Sequence, residues 1–203
     1  MPTWPSLAIS LFALLISGIT AWLTFFRRGR LVMTQPTRVF FGPDGELLDV
    51  NKNKVYLRTL LYCTAKRGFV LESLYLSVQR NETKQNFSIW VYGTKGDLHR
   101  GSGLFVPQEG LTFDHHFLQP EDGAAFPFLA GTYTIKVFAK EVGRQASFEL
   151  MVIPLAVNES QARALSEPHT GLNFDWGPDL QAYHPHLHSR HAIQIPKALQ
   201  EDR

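Results

Sequence analysis

Four histidines in "HPHLHSRH", namely His184, His186, His188 and His191, form the densest set of metal-prone side chains in the sequence. In an extended backbone His184, His186 and His188 lie on one side about 7 Å apart, and with His191 folded back they could chelate a zinc, nickel or copper ion. A resident metal site also needs groups that orient its imidazoles. A run of Pro and His offers no evident scaffold for them, so the tract reads first as a solvated tail. The second cluster is "FDHHF", residues 113–117. In a strand His115 and His116 point to opposite faces, which leaves Asp114 and His116 together. Two ligands are too few for a zinc ion that takes three or four, so the expectation is one packed and one solvent-facing histidine.

Other chemistry is sparse. Cys63 is the only cysteine, so neither an intramolecular disulfide nor a cysteine-rich zinc site can form. Inside "LRTLLYCTA" it reads as a small buried hydrophobe, not a thiol activated at a helix N-terminus. No G-x-S-x-G elbow is present, and "GSG" at 101–103, with no Lys and no helix after it, suits a strand-edge bulge better than a phosphate cradle. The sequence therefore calls for no catalytic residue and no cofactor. Asn81, Asn86 and Asn158 stand in sequon-like triplets that matter only in a glycosylating lumen; elsewhere they are turn residues.

The elements that would position these residues begin with an apolar segment. The first 26 positions hold no Asp, Glu, Lys, Arg or His. From Ser6 to Phe26 a helix rising about 1.5 Å per residue reaches about 31 Å, the thickness of a bilayer's hydrocarbon core. Trp4 and Trp22 stand near its ends, where indoles favour the headgroup layer, and Ser10, Ser17, Thr20 and Thr24 can bond back to the helix. A cleaved signal peptide would need a basic start, a shorter apolar core and a small-x-small site. A buried core helix would show a polar stripe. An uncleaved anchor fits better than either.

Charge sets its orientation. Arg27, Arg28 and Arg30 follow the apolar segment, and "MPTWPS" before it has no basic residue, so the N-terminus is expected outside and the rest of the chain in the cytoplasm. The rival arrangement keeps the anchor but puts the domain in the periplasm as a binder of an envelope component. Of the net charge of +2, the arginine collar supplies most of the excess, because residues 31–157 hold 13 basic against 12 acidic side chains. That balance gives no basic face for nucleic acid.

Between Leu31 and Val157 short β-like segments alternate with Gly, Pro and Asn turns and no amphipathic helix intervenes. About eight strands at this spacing predict an all-β antiparallel sandwich or barrel, the sandwich being the leading expectation. Alternation groups Val70, Glu72, Leu74, Leu76 and Val78 on one face, and Phe87, Ile89 and Val91 on another. The stretch "LAGTYTIKVFAKEVGRQASFELMVIPL", Leu129 to Leu155, resembles the closing hairpin of bacterial immunoglobulin-like or fibronectin type III-like domains. It has a small residue and Gly ahead of Tyr133, inward Ile135 and Val137, a short turn and a last apolar strand. The resemblance implies a tyrosine corner at Tyr133 and a core part for Trp90, and it transfers no function.

After Pro154 the pattern fades. "NESQARALSEPH" predicts one helix capped by Asn158 or Ser160 and ended by Pro168. Residues 158–203 are otherwise expected to be an irregular tail, in which Leu172, Phe174, Trp176 and Leu180 either dock on a partner or cover the domain's own flank. The organisation expected is thus a short head (1–5), an anchor (6–26), a basic collar (27–30), a sandwich (31–157) and a tail (158–203). The expectation is a single-pass protein of bacterial inner-membrane type, with the lipid bilayer and a protein as its partners.

Overall fold

Two antiparallel sheets, facing each other across one hydrophobic core, account for most of the chain. The computed structural model describes residues 4–27, 29–44, 53–94, 97–120 and 126–189. Helix α1 covers Trp4–Ala21, and its last turn, Trp22–Phe26, widens to an i+5 hydrogen bond from Arg27 N to Trp22 O at 3.1 Å. The larger sheet contains β1 (Leu31–Met33), β2 (Arg38–Pro43), β3 (Asn53–Cys63), β6 (Ile89–Thr94), β7 (Asp97–Arg100), β9 (Leu111–Leu118), β12 (Thr170–Gly177) and β13 (Ala182–Ser189). Its order is β13-β12-β2-β3-β9-β6-β7, with β1 also on β3. The smaller sheet contains β4 (Phe69–Arg80), β5 (Thr83–Phe87), β8 (Leu104–Val106), β10 (Gly131–Glu141) and β11 (Phe148–Val157), ordered β11-β10-β4-β5 with β8 also on β4.

The inward positions supply Phe41, Leu57, Leu61, Phe117, Leu172 and Phe174 from one sheet and Leu71, Leu76, Ile135 and Ile153 from the other, all with essentially no exposed surface. Phe41 lies at the centre, stacked 4.4 Å from Phe128 and edge-on to Phe174 at 5.3 Å. Tyr133 is buried beside it and donates its hydroxyl to Leu129 O at 2.6 Å, the tie from strand start to upstream backbone expected of a tyrosine corner.

Two face assignments need correction, each for a local reason. Opposite Lys140 and Glu141 the register of β4 slips by one residue, leaving Glu72 as the extra residue of a bulge. A bulge reverses the parity of everything beyond it. Leu74, Leu76 and Val78 therefore point inward together with Phe69 and Leu71, while Val70 is turned out and is 50% exposed. The segment "QNFSIWVYG" is not one strand: the chain passes from the small sheet to the large one at Ser88. Phe87 fills the core from β5, and Trp90 with Tyr92 faces the core from β6, which puts Ile89 and Val91 on the outer face.

The sandwich also does not stop at Val157. Asn158 caps α2 (Glu159–Leu165): its side chain accepts from Gln161 N at 2.9 Å, and Gln161 Oε1 accepts from Asn158 N at 2.9 Å. This reciprocal box satisfies two N–H groups at the helix start. β12 then enters the large sheet beside β2, with Leu172 opposite Phe41 and Phe174 opposite Val39, and β13 pairs back along it. Residues 170–189 are thus part of the domain and not a tail.

Candidate functional site

The features expected to meet lipid are all displayed. No residue of α1 is buried, and the 23-residue stretch Trp4–Phe26 is the one helix among the described residues long and apolar enough to cross a membrane. Trp4 is 88% and Trp22 58% exposed. Ser10, Thr20 and Thr24 each donate to the carbonyl four residues back, at 2.8–2.9 Å. Arg27 and Arg30 are exposed, and Arg28 lies outside the described residues.

What the sequence did not reveal is how closely residues 29–31, just after this helix, are held against the domain. Arg30 N donates to Thr64 Oγ1 at 2.9 Å, Thr64 N donates to Arg30 O at 3.1 Å, and Leu31 then pairs with Cys63 at the end of β3. A Cβ at Gly29 would overlap Cys63 Sγ and approach Ala65 N to 2.9 Å, so the backbone here lies directly on the β3–β4 turn. Cys63 is buried in that contact.

The histidines separate by face. His115 points into the core, 1% exposed, where its Nδ1 accepts from Trp90 Nε1 at 3.2 Å. Burial, with a smaller contribution from His116, lowers its pKa to about 3, so it is neutral at ordinary pH and its proton sits on Nε2. His116 lies on the outer face, its ring 4.9 Å from that of Tyr56. His184, His186 and His188 occupy alternate positions of β13, exposed on the same outer face. His186 Nδ1 is 3.4 Å from Asp175 Oδ2. His191 lies outside the described residues, and among those described no three His, Cys, Asp or Glu side chains converge as a metal site would require.

The proposed docking residues do not form one surface. Leu172 and Phe174 are core residues, 0% and 1% exposed, because their strand pairs with β2 and alternation directs them inward; no partner can reach them. Trp176 is half-buried with its ring 5.0 Å from that of Tyr183, whose hydroxyl donates to Pro36 O at 2.9 Å. Leu180, in the β12–β13 turn, is 67% exposed.

The outer face of the large sheet carries the most developed polar arrangement. Cross-strand pairing sets Asp175 beside Arg38, Arg38 beside Arg58, and Arg58 beside Asp114. Arg38 Nε donates to Asp175 Oδ1 at 2.9 Å, and this bond, more than any other contact, raises the arginine's pKa. Tyr56 donates to Asp114 Oδ1 at 2.9 Å, with Arg58 Nε 3.8 Å from the same oxygen. Burial and then the bond to Asp114 raise the Tyr56 pKa well above the usual phenol range. Arg38, Tyr56, Arg58 and Asp114, with His116, His186 and His188, line an open cleft of about 530 Å³. The sequence shows alternate polar residues in β3 and β9 and a lone arginine at the start of β2. It does not show which strands are neighbours, and only that adjacency turns single charges into a ladder.

No family model matches this chain, and no curated protein does. Among solved structures, the CooA pilin subunit from enterotoxigenic Escherichia coli aligns over 61% of this chain and 99% of its own, at 13% identity and a TM-score of 0.27. A superposition that loose supports no argument about either fold or role.

Proposed function

We propose that this chain is a single-pass membrane protein whose cytoplasmic sandwich is a non-catalytic interaction module, holding a protein partner close to the bilayer. The observation that carries this reading is the wholly unburied 23-residue apolar helix, followed within four residues by the first strand, with Gly29 and Arg30 held against the β3–β4 turn. Such a helix is at odds with water, and this clamp keeps the domain from ranging far from the lipid. The arginine collar, on the domain side, supports a cytoplasmic location for that side. The face best suited to a partner is the ladder of Arg38, Arg58, Asp114 and Asp175, whose ions satisfy one another and can exchange those contacts for complementary charges on a docked protein.

Reporter fusions to the C-terminus test the topology: a bright green fluorescent protein with inactive alkaline phosphatase is expected, and the reverse places the sandwich in the periplasm. Cross-linking in native membranes followed by affinity purification tests the module, with partner capture expected to fall in Arg38→Glu/Arg58→Glu while the chain stays in the membrane. Equal capture by that variant removes the ladder from the reading.

A further inference from the structure

The end of the sandwich where the helix enters has a chemistry of its own. It is formed by the β3–β4 turn, residues 64–68, and the β10–β11 turn, residues 142–147. We propose that these two turns are a docking surface for anionic phospholipid headgroups, made by the folded domain in addition to the arginine collar. The inference rests on the reading of α1 as a membrane anchor.

Reach comes first. Three Cα-to-Cα steps separate Phe26 from Gly29, and at no more than about 3.6 Å each they span at most about 11 Å. The headgroup layer beyond the hydrocarbon is itself about 5 to 8 Å thick on each side. Gly29 is packed on the 64–68 turn, and with Arg67, Gly68, Val142, Gly143 and Arg144 it lines a cleft of about 420 Å³. The clamp therefore holds both turns at headgroup level.

Composition comes second. Lys66, Arg67 and Arg144 are exposed on these turns and extend the charge of Arg27 and Arg30. Against these five cations the same end carries Glu141, which Arg144 engages at 2.7 Å, Glu109, and Glu149, which lines a cleft with Gly29 and Arg30 and is engaged by Lys136 at 3.1 Å. Among the cations stand two apolar side chains with no core role: Val142 is 53% exposed, and Val70 is the residue that the β4 bulge turns outward. Val142 N donates to Val70 O at 3.1 Å and holds the two side by side. Cations around a small apolar patch match an anionic interface, where the charges meet phosphates and the valines enter the acyl boundary. The opposite end lacks this character: around the β4–β5 turn and α2, Glu82, Glu159 and Glu167 offset Lys84 and Arg163.

The test uses the full chain in vesicles of phosphatidylcholine with or without phosphatidylglycerol, each carrying a headgroup-linked quencher. A fluorophore is placed at Val142→Cys or, as a distant control, at Glu82→Cys; the wild-type chain, whose one cysteine is buried, shows the background. Eleven steps of β4 at about 3.3 Å put the control roughly 36 Å away, beyond a headgroup quencher. Strong quenching at Val142, dependent on phosphatidylglycerol and absent at Glu82, is expected. It should be lost in Lys66→Glu/Arg67→Glu/Arg144→Glu and weakened in the corresponding triple Gln variant, all at exposed positions, with circular dichroism confirming an intact fold. Equal quenching at the two sites, quenching indifferent to phosphatidylglycerol, or quenching that survives charge reversal would overturn the proposal. A chain that fails to float with the vesicles would overturn the anchor and this proposal together, whereas a chain that floats without quenching overturns only the latter.

Discussion

Residues 4–26 and residues 158–189 flank the same set of strands and are both rich in large apolar side chains, yet the first segment buries none of them and the second builds two of its own into the centre of the core. The difference lies in pattern. The first is apolar all round a helix, which leaves no polar face for water and no inward face for a core. The second alternates: Leu172 and Phe174 point inward, while Asn173 and Asp175 meet Phe40 and Arg38 on the outer face. The apolar content of a segment does not say whether it will leave the domain or complete it. Period does.

The widest separation between the two comes from deleting each. Ending the chain at His169 removes β12 and β13, bares Val39 and Phe41 along β2, and is expected to abolish cooperative unfolding, as read by circular dichroism of the chain in detergent. Deleting residues 4–26 is expected to leave cooperative unfolding intact and release the protein into the soluble fraction. If both deletions unfold the protein, the contrast fails.

Point substitutions sharpen it. Phe174→Ala should cost about 3–5 kcal/mol in denaturant unfolding, the range for a fully buried aromatic. The histidines divide along the same line. His115 has its pKa lowered to about 3 by burial, whereas in the unfolded chain it titrates near ~6.5. As pH falls from ~6.5 towards 3 only the unfolded state takes up this proton, so stability falls by up to about 1.4 kcal/mol per pH unit and does not change on this account above ~6.5. His115→Gln, which keeps an acceptor for Trp90, should flatten that slope, whereas replacing the exposed His184 and His188 with Gln should change stability at neutral pH by no more than about 0.5 kcal/mol. A smaller effect, about 1 kcal/mol, is expected for Asn158→Ala through loss of the α2 cap. Leu180→Ala, at an exposed turn, should stay within about 0.5 kcal/mol, and a larger loss there would mean that the β12–β13 turn is packed more tightly than its exposure implies.

Much of the architecture was legible because it depends on local signals. The apolar helix follows from length and composition, β2, β3, β9, β10 and β11 follow from apolar runs bounded by turn residues, and a tie from Tyr133 to upstream backbone is what the resemblance of residues 129–155 to a closing hairpin implies. Facing was legible until a bulge or a sheet change intervened. The slip at Glu72 and the crossing at Ser88 each reverse parity, and neither leaves a Gly or Pro to mark it. β12 was missed because "TGLNFDW" is short, lies between proline-bearing segments, and gains its stability from β2, more than a hundred residues earlier. The same non-local pairing hid the outer-face ladder: Arg38, Arg58, Asp114 and Asp175 come from four strands, and nothing in their spacing reveals that they meet. Of the four proposed docking residues the sequence could show hydrophobicity only, and burial of Leu172 and Phe174 depended on a neighbour it could not name.

The central claim is that Trp4–Phe26 remains part of the chain and lies in lipid. Alkaline carbonate extraction of membranes from the native host, followed by intact-mass measurement of the protein recovered, tests it directly. The account predicts that the chain stays in the membrane pellet at a mass that includes this helix. A carbonate-soluble protein whose mass shows the segment removed would contradict it.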